Sequence, residues 1–409
     1  MSLHPMLSQL SRNRLMPSLI VLQIAIACAI LGNTLFLLVQ QAAPLLIDDG
    51  LAGDELIIVD QLVSRNGLWN AAQTRAGNDA LAAIPGVRQS SAVMGAPMRQ
   101  TLTLVIGLKA ANGRVIKASG YAGEQLLDTF GLQLSRGRDF SADEYREMDF
   151  SDREGSGTLP IIITEAMARV LFPDSEAVGG QLQSEDGSSH YVVVGVLRHL
   201  LRYQVGELDD GRAEYALLIP NRIGQTPLLS YVLRVDPAQR GQVLAALPQV
   251  LAREFDGSRM PAIKPFIGEY QQLRRDALHT RRAAVWLLTA VNLVVASITA
   301  IGIASLSGYW IQQRYRQIGI RRALGATRGQ ILRYFMAENL LLTALALVIG
   351  TALALTINQL LMQHYELTRL PWGYLPAGAL LLTVLGQLAV LGPSRRAAAV
   401  APAVATRGV

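Results

Sequence analysis

Four stretches of this sequence carry almost no charge over lengths that a bilayer demands. No Asp, Glu, Lys or Arg lies between Arg14 and Asp48, between Arg282 and Arg314, or between Arg369 and Arg395. Between Arg333 and Glu366 the single such residue is Glu338. A hydrocarbon core of about 30 Å takes roughly 20 consecutive apolar residues to cross as a helix. Helices meet that demand because each satisfies its own backbone donors and acceptors without water. We place spans at residues 18–40, 283–307, 335–358 and 373–392. Between residues 49 and 280 the longest uncharged run is the 12 residues 241–252, which is too short to span and reads as a soluble helix. Composition agrees, with 51 % hydrophobic and only 17 % charged residues, where soluble domains average about 25 % charged. The first span exceeds the roughly 7–15 apolar residues of a signal-peptide core. Three more spans follow it, so it reads as a retained anchor.

Charge then sets orientation. Arg12 and Arg14 precede the first span with no acid beside them. Arg314, Arg316, Arg321, Arg322, Arg328 and Arg333 fill the loop over residues 308–334, and Arg395, Arg396 and Arg407 fill the tail, again without an acid. Cytoplasmic loops collect Lys and Arg, so both termini and this loop are expected in the cytoplasm. Of the chain's 31 acids, 29 fall in residues 41–282 against 25 bases, a net charge of −4. An acidic region outside and basic loops inside account for the overall +6. Nucleic acid is not needed as a partner. Arg281 and Arg282 run against the bias, which is weak beside large translocated domains, and read as headgroup anchors.

Residues 41–282 mix short apolar runs with helical segments, which predicts an α+β domain with helical stalks. Strands are expected at 56–59, 101–106, 114–118, 159–163, 191–197, 215–219 and 231–235, where Val, Ile, Thr and Tyr are bounded by turn residues. Helices are expected at 69–83, 122–129, 164–171 and 238–254. The acidic stretch 140–157 has no apolar period and reads as a surface loop. No catalytic pattern emerges: there is no H-E-x-x-H and no G-x-S-x-G. His190 and His199 flank a strand and are too far apart for a metal pair on one helix, so surface or hydrogen-bonded histidines are the better reading. Glu165 follows Thr164 at a helix start rather than standing as an acid catalyst. Cys28 is the single cysteine, so no disulfide or cysteine metal site forms within one chain. No metal ligands are proposed.

The loop after the second span is the most informative segment. Ile318, Ile320 and Leu324 supply apolar positions, Gly325 breaks a first helical piece, and Thr327 can cap a second that runs into the third span. Composition alone supports no more than a basic loop touching lipid headgroups. Its order of residues says more. Arg316-x-Ile318-Gly319-Ile320-Arg321-Arg322-Ala323-Leu324-Gly325-Ala326-Thr327, followed by Gln330-Ile331 and by Glu338, closely resembles the signature of the FtsX-like or MacB-like ABC permease family. The tail around Pro393, Arg395, Arg396, Ala401 and Pro402 resembles the family's C-terminal pattern. So do Ile84-Pro85-Gly86-Val87, Gly137-Arg138-Asp139-Phe140, Ile163-Thr164-Glu165-Ala166, Val178-Gly179-Gly180 and Val193-Val194-Gly195-Val196 in the outer domain.

The resemblance implies a role for each part. Residues 308–334 would form a coupling loop that docks on a cytoplasmic ABC ATPase, with Arg316, Ile318, Gly319, Ile320, Arg321, Arg322, Ala323, Leu324, Gly325, Ala326 and Thr327 as the contact. Glu338 would hold that loop or a neighbouring subunit. Residues 1–17 would lie as an amphipathic helix on the inner membrane surface, and residues 359–372 would be a short outer loop. Family members act as dimers, so a second permease copy or homologue is expected. A periplasmic adaptor and an outer-membrane channel stay open as further partners. Motion of the outer domain, termed mechanotransmission, would serve export or extraction of a peptide, antibiotic, lipid or lipoprotein; the alternative is a cargo-free regulator of a periplasmic cell-wall hydrolase. MacB-type relatives carry an ATPase ahead of their first span, yet no G-x-x-x-x-G-K-[ST] occurs here. The expectation is therefore a non-enzyme subunit with no cofactor of its own, its ATP and Mg on a separate ATPase.

Overall fold

The structure is a computed structural model, and it describes residues 15–148, 157–203, 212–365 and 373–399. The amphipathic helix expected over residues 1–17 falls mostly outside the described residues, as do parts of the acidic stretch 140–157, of the outer loop 359–372 and of the tail. In chain order the elements are α1 (Leu15–Leu46), β1 (Leu56–Val63), α2 (Ala71–Ala82), β2 (Val87–Met94), β3 (Leu104–Ala110), β4 (Val115–Gly123) and α3 (Leu126–Phe130). Next come β5 (Leu134–Gly137), β6 (Arg146–Met148), β7 (Thr158–Thr164), α4 (Glu165–Leu171), β8 (Gln181–Ser184) and β9 (His190–Leu197). The remainder are β10 (Ala216–Ile223), β11 (Leu228–Val235), α5 (Arg240–Phe255), β12 (Phe266–Glu269), α6 (Tyr270–Ala277), α7 (His279–Gln312), α8 (Tyr315–Ala323), α9 (Arg328–Tyr365) and α10 (Tyr374–Ala399). They group into two compact units, Ala43–Thr280 and the remainder.

In the helical unit, α1, α7, α9 and α10 are each long and apolar enough to cross a membrane. Ile20, Ile24 and Ala25 of α1 pack against Ile303, Leu342, Ala346 and Val390 from the other three. Close approach is set by small residues, which let helix backbones meet where lipid offers no hydrophobic drive. A Cβ on Gly350 would lie 2.6 Å from the Cβ of Cys28 and 2.8 Å from the carbonyl oxygen of Ala25. Polar side chains then join the helices. Asn33 Nδ2 donates to the Ala354 carbonyl at 3.1 Å, and Thr34 Oγ1 donates to Asn292 Oδ1 at 2.8 Å. In α7, Ser305 faces outward and Ser307 is buried.

The second unit is an α+β domain, as the alternation of patterns predicted. Its strands follow the order β12-β1-β11-β2-β4-β3-β8-β9-β7-β10-β6, with β5 pairing β9. A parallel pairing of β10 with β4 closes six strands, β4-β3-β8-β9-β7-β10, into a ring. Strand β1 explains how two cores share one sheet. Successive residues point to opposite faces, so Ile57 and Val59 enter one core with Trp69, Leu81 and Phe255. Leu56 and Ile58 enter the other with Tyr121, Phe130, Tyr203 and Tyr270. All seven expected strands and four expected helices have a counterpart, with shifted ends. The largest shift is at residues 122–129, where Ala122 and Gly123 finish β4 and α3 begins only at Leu126, after Gln125 turns at φ 50°.

Two details of the outer unit bear on how it is held. Asp60 is fully buried and accepts from Arg99 Nε at 2.7 Å, Ser230 Oγ at 2.7 Å, the Gln61 amide at 2.7 Å and Thr101 Oγ1. At its base, Asp49 accepts from the Tyr270 hydroxyl at 2.7 Å and pairs with Arg274 at 3.2 Å, while Arg274 also donates to the Ile47 carbonyl at 2.7 Å. The chain that enters this unit and the chain that leaves it are thereby bonded to each other.

Candidate functional site

The loop between α7 and α9 is a short helix with a coded stop and a coded restart. Helix α8 ends at Leu324, and Gly325 follows at φ 95°, a left-handed conformation that glycine takes without a Cβ penalty. The Gly325 amide donates to Arg322 O at 3.1 Å and the Ala326 amide to Arg321 O at 3.0 Å, which together form a Schellman cap. Two residues later, Thr327 begins α9. Gln330 N donates to Thr327 Oγ1 at 3.3 Å and Thr327 N donates to Gln330 Oε1 at 2.9 Å, a reciprocal capping box. The run Leu324-Gly325-Ala326-Thr327 thus spells a fixed elbow rather than a flexible linker.

The inner face of α8 holds the elbow down. Ile318 is 4 % exposed and packs with Ile311, Ile331, Phe335, Ala397 and Ala398. Gly319 is buried beside it. Arg322 Nη1 donates to the Ala398 carbonyl of α10 at 3.2 Å. The outer face is open: Ile320 is 48 % and Leu324 83 % exposed, and Arg316, Arg321 and Ala323 are exposed around them. Ala326 is half-buried and Thr327 exposed at the turn. The single loop signature thus splits into inward residues that seat the helix and outward residues that present a surface.

Glu338 locks the assembly. Its carboxylate is 4 % exposed and accepts from Arg314 Nη1 at 2.9 and 3.0 Å and from Trp310 Nε1 at 3.2 Å. The Arg314 guanidinium lies 3.9 Å from the Trp310 ring centroid, a cation–π stack on the residue that shares its acceptor. This clamp joins the end of α7, the residue before α8 and the second and third turns of α9. The sequence expectation that Glu338 holds the loop over residues 308–334 has its partner in Arg314, while Arg333 of the same helix faces outward. Trp310 is not singled out by the sequence, because it sits inside the charge-free run as one more apolar residue. A signal was present: Arg314 is the first charge after Arg282, and Trp310 stands one turn before it.

The described residues of the outer unit offer no comparable arrangement. His190 is exposed, and His199 Nδ1 lies 2.6 Å from Glu214 Oε1. Thr164 Oγ1 accepts from the Met167 amide and so caps α4, which leaves Glu165 at the helix start with Ser135 as its hydrogen-bond donor. Among the described residues no cluster of three His, Cys, Asp or Glu is placed to hold a metal ion.

Comparison with known proteins matches both halves of this architecture. Residues 18–250 match the MacB-like periplasmic core domain and residues 289–402 the FtsX-like permease C-terminal domain. The macrolide export ATP-binding/permease protein MacB 1/2 of Paracoccus denitrificans is 26 % identical over 277 residues, covering 68 % of this chain and 38 % of that protein. The macrolide export ATP-binding/permease protein MacB of Agrobacterium fabrum is 25 % identical over 309 residues, covering 74 % of this chain and 45 % of that protein. The chain spans less than half the length of these relatives. The crystallised periplasmic region of MacB from Actinobacillus actinomycetemcomitans covers 57 % of this chain and 97 % of its own, at 12 % identity and a TM-score of 0.34. With more than half of its residues in the first family match, the chain belongs to the FtsX-like ABC transporter permeases with a MacB-like periplasmic core domain.

Proposed function

We propose that this chain is the permease subunit of an ABC-type complex in the inner membrane. In this reading, ATP hydrolysis by a separate cytoplasmic ATPase moves its periplasmic domain and drives export or extraction of a peptide, antibiotic, lipid or lipoprotein. One observation carries it: α8 is a firmly seated helix whose inward residues are spent on the fold and whose outward Ile320 and Leu324 are exposed among the described residues. Large exposed apolar side chains flanked by arginines on a basic loop fit a docking surface on a soluble partner. Arg316, Ile320, Ala323 and Leu324 touch the ATPase, and Ile318, Gly319, Arg322 and the Arg314–Glu338 clamp pass its motion into α7 and α9. The orientation follows from the acid-free basic segments, which put the loop and both termini in the cytoplasm. A second copy of the permease completes the transport path, with an adaptor and an outer-membrane channel as further partners.

Cross-linking tests the contact. Cys28 is the chain's only cysteine and is buried, so Leu324→Cys supplies a single accessible thiol. A thiol cross-linker at this position is expected to capture the ATPase in membranes, whereas Leu380→Cys, 67 % exposed on α10, captures none. Equal capture from both positions, or none from position 324, defeats the assignment.

A further inference from the structure

Beside the elbow lies a cavity of about 360 Å³, and its chemistry differs from that of the docking face. Its polar lining consists of Arg314, Gln317, Arg321, Gln330 and Arg333, without a single acid. Its apolar wall is Ile318, Ile331 and Phe335. Arg314 is already neutralised by Glu338. Arg321 rests over the Tyr334 ring at 4.9 Å, which fixes its position, and no acidic partner is found for it among the described residues. Arg333 is exposed and has no acidic partner among the described residues. Two guanidinium groups on different helices, α8 and α9, without an acidic partner among the described residues, therefore border one apolar-walled hollow.

The hollow lies at the end of a membrane span, because Gln330, Ile331, Arg333 and Phe335 occupy the first two turns of the apolar helix that starts at Arg328. At 100° per residue, Gln317 and Arg321 lie roughly 110° around α8 from Arg316, Ile320 and Ala323. Leu324 lies between the two groups, so the hollow adjoins the face assigned to the ATPase without coinciding with it. Guanidinium forks match phosphate oxygens in geometry and charge, and an apolar wall beside them suits glycerol and acyl carbons rather than a free ion. Basic pockets between helices at the cytoplasmic membrane surface suit anionic headgroups.

We propose that this hollow binds the headgroup of an anionic phospholipid, with Arg321 and Arg333 on the phosphate and Ile318, Ile331 and Phe335 against the glycerol and first acyl carbons. Such a lipid bridges α8 to α9 and adds a second clamp to the one at Glu338. A zwitterionic lipid carries an ammonium that the two arginines repel. Occupancy therefore depends on headgroup charge.

Native mass spectrometry of the purified full chain, without the ATPase, reads this directly. With equimolar phosphatidylglycerol and phosphatidylcholine, retention of phosphatidylglycerol is expected to exceed that of phosphatidylcholine at least tenfold. In Arg321→Ala/Arg333→Ala the preference collapses to about equal retention, while Arg328→Ala, an exposed arginine outside the hollow, keeps it. Equal retention of both lipids by the unaltered chain overturns the assignment, as does an undiminished preference in the double variant. Inorganic phosphate at millimolar concentration is expected to leave the preference intact, and full displacement by phosphate refutes a lipid-specific site. Because no ATPase is present, a lost lipid preference and a lost docking contact are read separately.

Discussion

Asp49 and Glu338 are two buried carboxylates, 6 % and 4 % exposed, and each bonds two passes of the chain to one another. Asp49 joins the segment leaving α1 to helix α6 in the outer unit, through Tyr270 and Arg274. Glu338 joins α7 and the start of α8 to α9 in the helical unit, through Trp310 and Arg314. Their surroundings differ. Around Asp49 the chain is closely fitted: a Cβ on Gly50 would meet the His199 carbonyl oxygen at 2.2 Å, and one on Gly53 would meet Tyr270 at 3.1 Å. Burial pushes the Tyr270 phenol well above its ordinary value, so it stays a donor to Asp49. Around Glu338 the packing is looser. Both side-chain atoms of Asn339, and the hydroxyl of Thr343 one turn on, are buried without a partner among the described residues. A small cavity of about 20 Å³ opens between Ser307, Trp310, Glu338 and Asn339, about enough for one water molecule. The outer clasp is closely fitted, with Arg274 Nε alone of its atoms left without a partner among the described residues, whereas the inner one borders three unpartnered polar atoms and a small cavity.

Removing each carboxylate is the strongest way to break the comparison. Glu338→Leu leaves Arg314 nearly buried without a counter-charge, an expected loss of about 3–5 kcal/mol. Asp49→Leu leaves Arg274, whose side chain keeps 21 % exposure, and Tyr270, an expected loss of about 1–3 kcal/mol. Thermal unfolding of the two variants in one detergent checks the order. The reverse order would mean that the inner clasp contributes less than its burial implies.

Two glycines sharpen the same contrast. Gly50 and Gly325 both have positive φ, 72° and 95°, but nothing lies within 4 Å of a Cβ on Gly325. Gly325→Ala is expected to cost only the left-handed conformation, about 1–2 kcal/mol. Gly50→Ala adds a backbone clash and is expected to cost about 3 kcal/mol or more. Denaturation midpoints of the two variants give the ranking.

The smallest effect concerns acid. Arg138 forms a two-pronged pair with Glu144 and holds its carboxyl down to about 2 from 4.5. A depressed carboxylate stabilises the fold above its unfolded value, and that contribution fades as pH falls toward the folded value. Arg138→Met is therefore expected to lower stability above about pH 4.5 by less than about 1 kcal/mol, because the pair is largely solvated. The two proteins converge as pH approaches 2, which unfolding midpoints across that range would show.

Much of this molecule is legible in its residues, and the illegible parts share a cause. The apolar helices and the elbow are local codes: run length, Gly325 as a stop, and Thr327 with Gln330 as a start. Strands such as β7 and β9 declare themselves as Ile and Val runs. Strand β2 does not, because its centre is Gln89, Ser90 and Ser91, and its burial comes from neighbours; Ser90 Oγ donates to Asn78 Oδ1 at 2.8 Å across to α2. Strands β5, β6 and β8 are short and polar, and β12 is only four residues long; all four form by pairing rather than by propensity. Helix α6 reads as Tyr-Gln-Gln-Leu-Arg-Arg-Asp-Ala, too polar to signal a buried face, yet Tyr270 at its start is fully buried. Which residue of the loop pairs with Glu338 is hidden in the same way. Arg314 is 24 residues away in sequence, and only the return of α9 past α7 brings the two together.

The central claim is that α8 is the handle through which an ATPase moves the outer domain. Its most direct test is ATP hydrolysis by the partner ATPase, reconstituted in membranes with the unaltered chain or with Leu324→Asp. Leu324 is 83 % exposed, so the variant is expected to insert and fold normally while stimulation of hydrolysis falls at least tenfold. A folded Leu324→Asp chain that stimulates the ATPase as well as the original would contradict the account.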